Sequence, residues 1–110
     1  MTPRLRVRPG ARAEIREARR WYEGESRGLG RAFVAEVDAA LGFALRDPEM
    51  YEALEAGEPA VRRALLHRFP YALVYEVVPE AGRPGLAREL VVLACCHLRG
   101  AGPPDWRSRR

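Results

Sequence analysis

The side chains in this sequence that are best suited to chemistry are arginines and one histidine in the second half of the chain. Cleavage of RNA without a metal needs a base for the 2′-hydroxyl, cations for the phosphate in the transition state and an acid for the leaving 5′-oxygen. The candidates for these tasks are Arg62, Arg63, Arg68, His97 and Arg99. Tyr71 and Trp106 are available to stack an unpaired base. The same arginines could instead hold an anionic partner.

Each of these residues also has a structural interpretation that needs no ligand. Arg62 and Arg63 are expected on a strand that also carries leucines, where arginines pair with acids more often than they catalyse. His97 ends an apolar run, so a hydrogen-bonded structural histidine is at least as good an interpretation as an acid or base. Arg68 fits plain solvation. Trp106 is expected to fold back onto the body as an anchor.

A metal site is not expected at the only two cysteines, although a histidine follows them. Consecutive residues of a strand point to opposite faces, so Cys95, Cys96 and His97 cannot close on one ion. The cysteine that points inward is better explained as a small hydrophobic residue. No other pattern implies a cofactor. Glu76 is expected to balance an arginine across a strand pair.

The arginine content alone does not indicate a nucleic-acid site. All nineteen basic residues are arginine, and lysine, asparagine and glutamine do not occur, which is typical of codon usage in a GC-rich genome. The distribution along the chain is more informative. Residues 1–58 hold ten arginines against eleven acidic residues, whereas residues 59–110 hold nine against four, a net charge of +5. An acidic partner or a phosphate backbone would therefore dock on the second half.

Length and hydropathy predict one ordinary globular domain over residues 1–110, with a polar tail from about residue 99. No run approaches the roughly 20 apolar residues that span a bilayer. The first residues lack the apolar middle of a signal peptide, and the adjacent cysteines are no disulfide framework. These features predict a cytoplasmic protein that does not contact a membrane.

The first half of the chain is predicted to be mainly helical. A short strand is expected over residues 4–8, and a helix is expected from Ala11 to about Gly24. No residue at the start of this helix is a good N-cap. Trp21 and Tyr22 are expected to pack on that helix, with Tyr22 half-buried. A second helix begins near Leu29, has apolar residues every four positions and ends before Pro48. Residues 47–60 are predicted to be an acidic linker with at most one helical turn.

The second half is predicted to form strands. Residues 61–68 and 71–78 alternate in the manner of two strands, and their short connection implies antiparallel pairing. Residues 79–88 are predicted to be a loop, and Glu89–His97 a central strand buried on both faces. The fold class is therefore α+β in the order β-α-α-β-β-β. A helical hairpin is expected to cover one face of a mostly antiparallel four-stranded sheet, and the open face should carry the polar residues of the strands.

An ordered set of residues resembles the RelE/ParE superfamily of toxins from bacterial type II toxin–antitoxin systems, some of which are called plasmid stabilisation proteins. The resemblance covers about residues 11–107, nearly the whole chain. The residues that carry it are Trp21-Tyr22-Glu23, Gly28-Leu29-Gly30, Phe33, Asp47-Pro48, Val61-Arg62-Arg63, Phe69-Pro70-Tyr71, Val74-Tyr75-Glu76, Val92-Leu93-Ala94, His97, Arg99, Pro103 and Trp106. The family's element order is the one that periodicity predicts here.

The resemblance implies a cognate antitoxin whose C-terminal region folds on binding, in a hetero-oligomer. It leaves the target open. A ParE-like toxin inhibits DNA gyrase by binding, and the pattern that includes Phe69-Pro70-Tyr71 and Trp106 favours this branch. A RelE-like toxin cleaves mRNA on the ribosome, and Arg63 and His97 then fall near the family's catalytic positions, with Arg99 beside them. Against that branch, this chain lacks the lysines on which RelE relies. A third possibility is an antitoxin-binding protein whose toxicity has decayed.

Overall fold

A computed structural model describes residues 2–57, 59–99 and 106–110. It is an α+β fold with two helices and a five-stranded mixed sheet. The elements in chain order are β1 (Arg4–Val7), α1 (Pro9–Glu25), α2 (Leu29–Arg46), β2 (Glu52–Glu55), β3 (Ala60–Leu65), β4 (Tyr71–Glu80), β5 (Arg83–His97) and a C-terminal 3-10 helix (Trp106–Arg109). Neither α-helix in the described ranges is long and apolar enough to cross a membrane.

The strands are ordered β1-β5-β4-β3-β2 across the sheet. Strand β1 pairs parallel with β5, and every other pair of neighbours is antiparallel. The predicted antiparallel pairing of the strands around residue 70 is confirmed. The strand count of four is wrong, because Glu52–Glu55 adds a fifth strand at the edge.

Two predicted connections are strands instead. Within the predicted linker, Glu52 lies opposite Arg63 and Ala53 lies opposite Arg62. The segment is too short to show strand periodicity in the sequence, and its pairing with β3 makes it a strand. The predicted loop 79–88 is a β-hairpin, because β4 continues to Glu80 and β5 begins at Arg83. Gly82, with a φ of +71°, makes this two-residue connection possible.

The helical hairpin has the predicted boundaries to within about two residues. No side-chain cap closes the start of α1, and a proline in its first turn removes one N–H that would lack a partner. Between the helices, the Glu23 carboxylate accepts hydrogen bonds from the backbone N–H groups of Gly28 and Gly30. A Cβ atom at Gly30 would lie 2.6 Å from the carbonyl oxygen of Arg19, so only glycine allows this close approach of the helices.

The sheet separates two apolar clusters. The face covered by α1 and α2, the helix-side face, packs Leu73, Tyr75 and Leu90 against Phe33 and other helix residues. The opposite face, here called the far face, was expected to be open and polar, and this expectation is wrong. It carries a second buried cluster of Val61, Val74, Val91, Leu93, Ala94 and Cys96, together with Trp106 from the C-terminus. Strand β5 is therefore buried on both faces over residues 90–96, as predicted.

Candidate functional site

The two residues placed at catalytic positions by the resemblance, Arg63 and His97, lie on opposite faces of the sheet. Arg63 is opposite Val74, which belongs to the far-face cluster. His97 is opposite Tyr71, which packs against the helix-side cluster. Directly opposed residues of an antiparallel pair share a face. Val74 and Tyr71 are also three residues apart along β4, roughly 10 Å. The two side chains therefore do not converge on one reacting phosphate.

Arg62 and Arg63 both bind other parts of the same chain. The Arg63 guanidinium pairs with the Glu52 carboxylate at 2.8 Å. On the other face, an Arg62 Nη1 donates to the carbonyl oxygens of Tyr51 at 2.7 Å and of Glu49 at 3.2 Å. These contacts hold β2 and the segment before it against β3. The structural interpretation of a paired strand arginine therefore fits both residues.

His97, Tyr71, Arg68 and Arg99 lie at one end of the sheet. The rings of Tyr71 and His97 meet edge to face with centroids 4.9 Å apart, and His97 Nδ1 accepts the backbone N–H of Arg99 at 2.9 Å. Burial raises the pKa of the half-buried Tyr71 phenol. The side chains of Arg68 and Arg99 are exposed, although the Arg68 backbone N–H donates to Glu36. Residues 66–68 are thus a turn held by a helix carboxylate, whereas the sequence predicted strand.

Trp106 is 5% exposed and lies in the far-face cluster, the position of an anchor rather than of a stacking platform. Residues 106–110, the C-terminal arm, attach to the body mainly through arginines. Arg109 pairs with Glu14 at 2.9 Å, and Arg110 pairs with Glu76 at 2.6 Å. The partner of Glu76 is therefore an arm arginine and not the strand arginine that was expected. The predicted polar tail is a docked segment over these residues. Residues 100–105, including Pro103, lie outside the described ranges.

A groove of about 610 Å³ lies between α1 and the ends of β4 and β5. We call it the aromatic groove, and its lining residues are Glu14, Glu17, Ala18, Trp21, Tyr22, Pro70, Tyr71, Cys95, Cys96 and His97. Two of the residues considered for function, Tyr71 and His97, line it. The arginines proposed to hold a phosphate do not. Its charged residues are the two glutamates of α1.

Trp21 and Glu17 are the residues of this groove that the sequence analysis missed. Trp21 was expected to pack on its helix, but its side chain is 59% exposed. Its neighbour Tyr22 is 9% exposed, more buried than the expected half-buried position. The signal was present in the helical spacing, because residues 14, 17, 18 and 21 share one side of α1. A tryptophan at the edge of an apolar stripe could have been recognised as part of a binding surface.

The two cysteines are buried groups without the environment of a nucleophile. Burial raises the pKa of the Cys95 thiol to about 12 and that of Cys96 to about 11. Cys95 belongs to the helix-side cluster and Cys96 to the far-face cluster, as alternation predicts. In the described ranges, histidine, cysteine and acidic side chains form no group of three that could hold a metal ion.

The far face is exposed at the end that the C-terminal arm does not reach. Leu65 is 43% exposed and Leu98 is 50% exposed. Leu65 lies opposite Ala72, and Ala72 lies opposite Cys96 on β5, but Ala72 and Cys96 are buried, so the exposed apolar surface here comes from the leucines. Arg63 is on the same face, two residues before Leu65. This arrangement of an apolar patch beside a cation is suited to binding another protein.

Neither the protein-family models nor the curated proteins that were searched gave a match to the chain.

Proposed function

We propose that this chain is the toxin of a type II toxin–antitoxin pair of the RelE/ParE kind, and that it acts in the ParE manner by binding DNA gyrase. The resemblance in the sequence motivates the family. An element order of strand, helical hairpin and antiparallel strands supports it, with β2 as an additional edge strand. The proposed activity is inhibition by contact, without a chemical step on the toxin.

One observation favours binding over RNA cleavage: Arg63 and His97 lie on opposite faces of the sheet. A phosphate held by Arg63 on the far face would be separated from His97 by the sheet itself. Arg63 is in addition neutralised by Glu52. General acid–base catalysis needs the acid or base within hydrogen-bond reach of its proton. Arg63 as the cation and His97 as the acid or base therefore cannot act on the same phosphate.

The cognate antitoxin is proposed to cover the exposed end of the far face. Leu65 and Leu98 offer apolar contacts there, and the exposed Arg68 and Arg99 at the same end of the sheet offer positive charge. An antitoxin segment that folds on binding with apolar and acidic residues is complementary to this surface. Burial of the two leucines would then remove apolar area from water and supply part of the affinity.

The test is a pair of assays on one purified preparation of the chain. DNA supercoiling by gyrase should be blocked, and primer extension on an mRNA in a purified translation reaction should reveal no new ends. New ribosome-dependent cuts would refute the binding mechanism and establish an mRNA endoribonuclease. Inactivity in both assays, together with harmless expression in cells, would instead favour a protein that binds antitoxin and has lost toxicity.

One observation keeps the nuclease as the second candidate. His97 is exposed beside the half-buried Tyr71, and Arg68 and Arg99 are exposed at the same end of the sheet. If this end cleaves RNA, replacement of His97 by alanine should abolish the cuts while circular dichroism and antitoxin binding stay unchanged. The matched control is Arg63→Ala, which should leave cleavage intact because its side chain is on the far face.

A further inference from the structure

The aromatic groove combines exposed aromatic surface with uncompensated negative charge. Trp21 is 59% exposed, and Tyr71 and His97 contribute the opposite wall at the end of the sheet. Glu17 lies on the rim and forms no hydrogen bond or ion pair within the described part of the chain. The carboxylate is close enough to Tyr71 to add to the rise in its pKa, after burial, Tyr22 and Cys95.

The second glutamate of the groove is already occupied by a guanidinium. Glu14 accepts hydrogen bonds from Arg109 at 2.9 and 3.2 Å and from the backbone N–H of Cys95 at 3.0 Å. Glu17 is the next residue toward Trp21 on the same side of α1. Glu14 and Arg109 therefore form, within the chain, the same carboxylate–guanidinium contact that Glu17 has room to make with another molecule.

Negative charge beside aromatic faces selects for cations. A guanidinium or ammonium group is attracted to the face of tryptophan or tyrosine, and a carboxylate adds an ion pair. The same carboxylate repels phosphates, so a nucleic acid that stacked on Trp21 would bring its backbone against Glu17. A volume of about 610 Å³ is ample for one long side chain and its flanking backbone.

We propose that the aromatic groove binds an arginine side chain presented by a partner protein, with the guanidinium on Trp21 and paired with Glu17. The planar guanidinium stacks on an aromatic ring and binds a carboxylate at its edge at the same time, which an ammonium group does less well. The groove lies between α1 and the ends of β4 and β5, and its lining does not include Leu65 or Leu98, the leucines assigned to the antitoxin. The inference therefore does not depend on the toxin function.

The test uses the two tryptophans as separate reporters in one protein. The indole N–H signals of Trp21 and Trp106 are followed by heteronuclear NMR while N-acetyl-argininamide is added to the intact chain. The expected result is a saturable shift of the Trp21 signal and no shift for the buried Trp106. The citrulline analogue has the same shape without the charge, so it should bind more weakly by about three- to fivefold or more.

Two variants distinguish the groove from general attraction to an acidic helix. Glu17→Gln should weaken arginine binding by about three- to fivefold, whereas Glu25→Gln, at the exposed end of the same helix, should leave it unchanged. Equal binding of citrulline and arginine, or no saturable shift of Trp21, would overturn the proposal. If a short oligouridine shifted the Trp21 signal at a lower concentration than N-acetyl-argininamide does, the proposal would also be overturned, in favour of a nucleic-acid surface.

Discussion

Replacement of Trp106 by alanine should destabilise the whole domain, although this residue lies in the short C-terminal arm. Burial of a tryptophan removes about 150–250 Å² from water, which at about 25 cal/mol per Å² gives an upper limit of roughly 4–6 kcal/mol. The actual loss is smaller, because an arm that detaches regains conformational entropy. Substitutions of this kind in well-packed sites cost about 3–5 kcal/mol. We expect a loss of about 3 kcal/mol.

The assay is urea unfolding followed by far-ultraviolet circular dichroism, since the substitution also removes a fluorophore. The matched control is Arg107→Ala in the same turn. Its side chain is 66% exposed, pairs with Glu55 at 3.2 Å and lies over the Trp106 ring. Such contacts are worth about 1 kcal/mol or less at an exposed site. If the tryptophan variant lost no more stability than this control, the far face would not depend on the arm, and the reasoning would be refuted.

Three further perturbations test other parts of the structure. Gly30→Ala should cost about 1–3 kcal/mol because its Cβ would meet the backbone of α1 at 2.6 Å, whereas Gly42→Ala, with open space around it, should be neutral or stabilising in thermal melts. Hydrogen bonds from backbone N–H groups lower the pKa of Glu23. The stabilising effect of the Glu23 carboxylate is therefore present above the ordinary pKa of a carboxylate, and it is lost as the pH falls through the lowered value. The stability difference between the chain and its Glu23→Gln variant should therefore shrink on acidification, and a constant difference would contradict the capping role. Burial raises the pKa of the Cys95 thiol to about 12 and that of the Cys96 thiol to about 11. A thiol reagent at neutral pH should therefore react only after denaturant is added. Rapid labelling of the native chain would show that the two thiols are not buried.

The sequence was most informative where periodicity extends over many residues. Helix α2 repeats apolar residues every four positions, and Phe33 and Val37 are buried as that pattern requires. The continuous apolar run of β5 predicted burial on both faces, which two clusters now explain. Alternation also placed Arg62 and Arg63 on different faces. What alternation could not provide was the offset between strands, which determines whether Arg63 and His97 meet.

The features that the sequence did not predict depend on contacts between distant residues. Strand β2 has four residues, and only its pairing with β3 identifies it. The partner of Arg109 is Glu14, at the opposite end of the chain. No local pattern encodes such a pair, and it is this pair that turns a polar tail into a docked arm. The exposure of Trp21 depends on how α1 lies on the sheet, although the helical spacing already placed Trp21 on the same side of α1 as Glu14 and Glu17.

The excess of positive charge in the second half does not amount to a nucleic-acid surface. Arg62, Arg63, Arg107, Arg109 and Arg110 bind carboxylates or carbonyl groups of the same chain. Four others are exposed and form no ion pair in the described ranges, and they divide into two groups, Arg68 with Arg99 and Arg83 with Arg88. Arg83 begins β5 and Arg88 lies five residues along it, whereas Arg68 and Arg99 lie beside its other end, so the two groups are separated by roughly 30–50 Å. One short RNA cannot engage both.

This division sets a limit on any binding of RNA at the His97 end. Two arginines can neutralise about two phosphates, so the logarithm of the association constant should fall with the logarithm of salt concentration with a slope of about −1.4 for a single strand. Fluorescence anisotropy of a labelled oligonucleotide across a salt series measures this slope. The Arg68→Ala variant should reduce it by about half, and Arg83→Ala should leave it unchanged. A slope steeper than about −3 would show that arginines beyond Arg68 and Arg99 contact the RNA, and it would refute this limit.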